Sequence, residues 1–204
     1  EEIPNAFDST VTLTSASNGI TADGTTSTVR MSSSVECAPP IAGFCYPSRV
    51  IAFSQGLTSK GNPVDPIRSN PAAALGKPDG DKLGSFFSLG FGGSIELQFE
   101  GIVVDLPGAD LQVFETTWNV NGQPPTASNY PERVEVFVAF GTGAYVSIGT
   151  SFLDGTFDIA VSGLPYIDRV KLVDITNPAD FGRAEVDGYD VDAVNALSQC
   201  GERP

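Results

Sequence analysis

The chain has 204 residues, with 25 Asp and Glu against 11 Lys and Arg, a net charge of −14, and no His. That balance repels phosphate and excludes nucleic acid as a partner; the missing imidazole excludes Ser-His-Asp and Cys-His catalysis and His-ligated zinc. At 41% apolar the chain is long enough to bury a real core, and no apolar run nears the ~20 residues that span a bilayer.

Residues 1–34 are rich in Ser and Thr. Thr10-Val11-Thr12-Leu13-Thr14 alternates as a half-buried strand does, Ala22-Asp23-Gly24-Thr25 is a turn signal, and Ser27–Met31 reads as a second strand. This segment is expected to be a strand-forming arm or a first hairpin, set before a domain over 35–204. Glu1-Glu2-Ile3-Pro4 is no secretory leader, so a mature, processed chain is expected.

Three cysteines follow, Cys37, Cys45 and Cys200, without CxxC spacing. One bridge and one odd thiol are expected in an oxidising compartment. The local pair Cys37–Cys45 would pin a Pro-rich loop, whereas a bridge from either to Cys200 would close a large loop. The local pair is preferred.

From Val50 on, short strand signals recur between Gly, Pro, Asn and Asp punctuation. They are Val50–Phe53, Ser94–Phe99, Leu111–Glu115, Arg133–Val138, Tyr145–Ile148, Arg169–Asp174 and Tyr189–Val194. The best helical stretch is one or two turns at Pro71–Leu75, stopped by Gly76 and Pro78. Gly90-Phe91-Gly92-Gly93 lacks the Lys-Ser/Thr of a phosphate loop and reads as a tight bend. Many short strands without a sustained helical period predict an all-β antiparallel sandwich.

Charge is uneven along this pattern. Residues 1–102 carry a net −4 and residues 103–204 a net −10, densest between Asp154 and Asp192. Asp190 and Asp192 lie two apart in a strand, so both are expected on one face, where they repel unless a cation, an Arg or water screens them. With Asp187, and with the oxygen-rich turn Asp79-Gly80-Asp81, they are the candidate ligands of a hard cation, calcium above all. The bland alternative is a solvated acidic face. Trp118 and Asn119, with Asn121 and Gln123, have the composition of a sugar-binding loop; Tyr130 and Glu115 are the further candidate ligand contacts.

Several stretches together resemble a module of bacterial secreted and cell-surface proteins. They are Ala74–Gly80, Phe87–Phe99, Asp110–Glu115, Tyr130–Val136 and Asp187–Val194, within residues 49–197. The module is similar in layout to discoidin-like, galactose-binding-type jelly rolls. The resemblance implies a jelly-roll-like sandwich, an extracellular or cell-surface location, and a structural calcium at which Asp79 or Asp81 joins Asp190 or Asp192.

The function expected is therefore non-catalytic. It is a structural or adhesion module, calcium-stabilised, whose partners are surface components or other copies of itself, joined through the N-terminal arm into a polymer. The alternative is a lectin-like carbohydrate-binding module. A third reading, a glycosidase using a pair such as Glu115 with Glu132, has no sequence feature that singles it out.

Overall fold

The computed structural model describes residues 12–20, 26–34, 45–80, 82–117, 124–182, 184–198 and 200–203. The chain forms two compact units, Glu1–Pro39 and Pro40–Pro204. In the first, β1 (Thr12–Ile20) and β2 (Thr26–Ser34) pair antiparallel from Ile20↔Thr26 to Thr12↔Ser34, a two-stranded sheet. The Ser/Thr-rich arm is thus a hairpin; its predicted turn at 22–25 lies outside the described residues.

The second unit contains β3 (Arg49–Ser54), β4 (Phe87–Ser88), β5 (Ser94–Val104), β6 (Leu111–Glu115), β7 (Arg133–Ala139) and β8 (Val146–Phe152). The chain continues through β9 (Gly155–Phe157), β10 (Tyr166–Asp174), β11 (Asp190–Ala196) and β12 (Cys200–Gly201). One sheet runs β12-β5-β10-β7-β8, with β3 also paired to β5; the other runs β4-β11-β6-β9. All pairings are antiparallel, and the two sheets pack against each other as a β-sandwich.

The core follows from alternation. Ile95, Leu97 and Phe99 of β5, Val134, Val136 and Val138 of β7, and Val170 and Leu172 of β10 supply one wall. Leu111 and Val113 of β6, Phe157 of β9, and Val191 and Val194 of β11 supply the other. Burying each large apolar side chain stabilises the fold by roughly 1.5–3 kcal/mol, and the β-branched ones also suit a pleated, half-buried surface.

The helical signal at Pro71 is a single 3-10 turn, Pro71–Ala74. Asn70 caps it by accepting the Ala72 N–H, and Pro71 sits where its missing N–H costs nothing. The Gly90–Gly93 stretch is a bend, closed by Gly93 N–H to Gly90 O at 3.0 Å.

The disulfide differs from the expectation. Cys45 pairs with Cys200, not with Cys37, across 155 residues. The reason lies in β5, which is long enough to take two neighbours along one side. β3 pairs with its first half and β12 with its second, so the chain entering β3 and the chain leaving β11 meet beside it. Cys45 O also accepts the Ala196 N–H at 2.8 Å. Cys37 lies outside the described residues. Among those residues, no helix is long and apolar enough to cross a membrane.

Candidate functional site

Strand parity carries two carboxylates into the space between the sheets. In β6, Leu111 and Val113 face the core, and Glu115 continues that parity at the strand end. On the opposite sheet, Val134, Val136 and Val138 face the core, and Glu132, just before β7, continues theirs. The two acids come near one another at one mouth of the sandwich, each adding to the electrostatic field on the other. Glu132 is fully buried.

More acids surround them. Asp190, the first residue of β11, is 2% exposed, and Asp187 is 3% exposed. Arg68 grips Asp187 through both guanidinium nitrogens, Nη1 to Oδ1 at 3.0 Å and Nη2 to Oδ2 at 2.9 Å. That leaves Glu115, Glu132 and Asp190 without a paired base. Glu115 Oε2 accepts the Thr117 hydroxyl. Glu115 Oε1, both oxygens of Glu132 and Asp190 Oδ1 receive no formed hydrogen bond from the described residues. The Tyr130 hydroxyl lies against Glu132, but off the geometry of a formed bond.

Such burial favours the neutral form. Burial first, then nearby Asp154 and Asp192, pushes the Glu115 carboxyl up to about 8, against the Thr117 and Glu132 contacts that lower it. Burial, then Asp190, Glu115 and Asp187, raises Glu132; burial, then Asp187 and Glu115, raises Asp190.

A cavity of about 440 Å³ opens beside Glu115, lined also by Thr117, Pro125, Phe152, Leu153 and Asp154. Asp154 Oδ1 accepts the Glu115 N–H at 2.8 Å, and the Tyr189 hydroxyl donates to Leu153 O at 2.6 Å. Leu153 has a φ of 53°, a backbone region that only Gly enters freely, so this rim is held by its contacts rather than by preference. A larger cavity, about 550 Å³, lies over the disulfide, where Glu100, Glu202 and Arg203 are its charged lining.

Of the five acids expected to hold calcium, the four described ones fall into two groups. Asp187 and Asp190 join the mouth. Asp192 instead serves a turn: Oδ1 accepts the Asp79 N–H at 3.3 Å and Oδ2 the Gly80 N–H at 3.2 Å. So the Asp-Gly-Asp turn and the late acid do come together, through backbone donors on a carboxylate. Asp79 is exposed, and Asp81 lies outside the described residues. The register of β11 slips between Val191 and Ala193, which makes Asp192 the bulge residue and separates its neighbours from those of Asp190. Tyr130 packs edge-on against Phe181 at 5.7 Å and turns its hydroxyl inward, so its ring is not a free stacking face. Trp118 and Asn119 lie outside the described residues.

A third acidic group was not singled out in the sequence. Asp105, Asp110 and Asp158 are the one trio among the described residues whose ligand oxygens all lie within 4.8 Å of one another. Backbone donors use two of them. Asp110 accepts from Leu106 and Ile159, each at 3.0 Å, and Asp158 accepts from Ala160 at 2.9 Å. Asp105 is raised by desolvation, then by Asp110 and Asp158.

No protein-family model matches the chain, and no curated protein matches it in sequence. Among solved structures, a family 89 glycoside hydrolase from Clostridium perfringens, in complex with its substrate, is similar at 12% identity and a TM-score of 0.37. The match covers 79% of this chain and 16% of that one. A second structure, described as a glycoside hydrolase, is similar at 10% identity and a TM-score of 0.36, covering 88% of this chain and 38% of that one. The chain thus spans 16% and 38% of the lengths of these two proteins.

Proposed function

We propose that this chain is a non-catalytic extracellular module, a β-sandwich that binds or builds at a cell surface. The observation that carries this is the β-sandwich itself, two antiparallel sheets closed by the Cys45–Cys200 bridge. The Cys45–Cys200 bridge supports an oxidising, extracellular setting.

The test is hydrolysis of a panel of aryl glycosides by the intact protein and by Glu115→Gln. Neither is expected to release product above the buffer blank. Turnover by the intact protein that Glu115→Gln abolishes would overturn the reading.

Two partner classes fit the module. The cavity beside Glu115 is lined by carboxyl, hydroxyl and ring groups of Glu115, Asp154, Thr117 and Phe152, which favours a polyhydroxylated ligand such as a glycan. A glycan array in which Trp118→Ala removes the hits supports this; no hits with the intact protein exclude it. The N-terminal hairpin favours assembly with other copies, since two strands alone are marginal in water and gain from a third.

A further inference from the structure

We propose that the Cys45–Cys200 bridge is a redox latch: a dithiol entering the cavity over it reduces it in the folded protein, frees the segment Cys200–Arg203 and bares the second half of β5. Both cysteines line that cavity, and its volume of about 550 Å³ has room for a small organic molecule. The segment that the bridge holds is slight. β12 makes two strand pairs with β5, Cys200↔Val103 and Gly201↔Ile102. Beyond it, Arg203 donates to Glu100 O and Phe99 O, each at 3.2 Å, and its Nη2 lies 3.0 Å from Oδ2 of the wholly buried Asp168. Without the covalent tie, only two strand pairs and one part-exposed arginine keep this tail in place, and contacts of that kind open readily.

The direction of the exchange follows from access. Cys45 is half-buried and Cys200 only 6% exposed, so a thiolate attacks Cys45 Sγ. A new sulfur–sulfur bond forms there as the native one breaks. Cys200 leaves as a thiolate, and Arg203, the only base in the described lining of the cavity, favours that charge. The second thiol of the dithiol then attacks its own sulfur on Cys45, closes the reagent to a cyclic disulfide and releases Cys45. Two electrons pass from dithiol to bridge, and both cysteines end as thiols. With the tail gone, the groups of Ile102 and Val103 that paired β12 form a free sheet edge of the kind other strands add to. The sandwich itself stays, because β5 keeps β10 on its other side and Cys200 is the one core residue that leaves. An oxidising setting holds the latch shut until such a reductant arrives.

The full chain is treated with dithiothreitol in native buffer, quenched with iodoacetamide at intervals and mapped by mass spectrometry, with amide hydrogen exchange run in parallel. Cys45 and Cys200 are expected to alkylate together without denaturant, at least about ten-fold faster than global unfolding as read from the slowest core amides. In the reduced chain the amides of β12 and of Ile102 and Val103 should lose about ten-fold or more in protection, while those of β7 and β10 keep theirs. With the monothiol 2-mercaptoethanol and an acid quench, the mixed disulfide should be found on Cys45. Alkylation that needs denaturant, or that runs no faster than global unfolding, would overturn the proposal. So would protection lost across both sheets, which would make the bridge a staple of the whole sandwich rather than a local latch, protection kept by β12 after reduction, or a monothiol adduct on Cys200.

Discussion

Glu115 occupies a position that its strand reserves for the core. In Leu111-Gln112-Val113-Phe114-Glu115 the odd positions point inward, and the acid takes the last of them. Glu132 does the same one step before Arg133–Ala139. Both stretches are readable as strands, so an acid at core parity was a signal present in the sequence. That the two acids face each other was not, because it depends on how one sheet lies over the other. Asp192 illustrates a different limit: a one-residue bulge at Asp192 undoes the simple spacing rule that pairs it with Asp190. The buried pair makes stability fall as pH rises. The folded state keeps the Glu115 proton up to about pH 8, whereas the unfolded chain releases it near 4.5. Between those values the native state binds more protons, so each step up in pH costs stability; above about 8 the difference is constant. Melting temperatures from pH 5 to 9 should therefore decline for the wild type and decline less steeply for Glu115→Gln, in which the raised carboxyls of Glu132 and Asp190 remain. A slope that is the same in both would show that the carboxyl is not responsible.

β5 shows what single-strand patterns miss at the next scale. Its first half, Ser94–Phe99, alternates cleanly, but the strand continues to Val104 through Glu100-Gly101. Gly101 reads as a break, yet it is there because a Cβ would meet Gly201 O at 2.3 Å, where β12 closes on the strand. Strands of two residues, such as β4 and β12, carry no periodicity to detect. β12 is also the element that carries Cys200 to Cys45, and nothing in the local spacing of Cys37 and Cys45 reveals it. Since Cys45–Cys200 closes 155 residues, its loss should cost roughly 2–5 kcal/mol. Cys45→Ser and Cys200→Ser should each lower the melting temperature by about 5–15 °C, and reductant should do the same to the wild type. If all of them melt with the oxidised wild type, the bridge does not staple the sandwich.

At the scale of the whole molecule, the second unit holds its own core, both sheets and the disulfide. Removing residues 1–34 should therefore leave its melting temperature within about 2 °C of the full chain, because no core residue is lost. If the hairpin links copies, the same truncation turns a polymer into a monomer by light scattering and microscopy; a full chain that is already monomeric removes the assembly role. The excess of acid in the second half, visible at once in the sequence, now divides between turn capping at Asp110, Asp158 and Asp192 and the mouth at Glu115, Glu132 and Asp190. The bridge has a mechanical meaning as well. Cys45 and Cys200 are adjacent in space but bracket the sandwich in sequence, so tension applied along the chain passes through the sulfur–sulfur bond and leaves the strands between them unloaded. While the bridge is oxidised, the 155 residues it spans, roughly 500 Å of extended chain, stay folded under a pull that would otherwise unravel them.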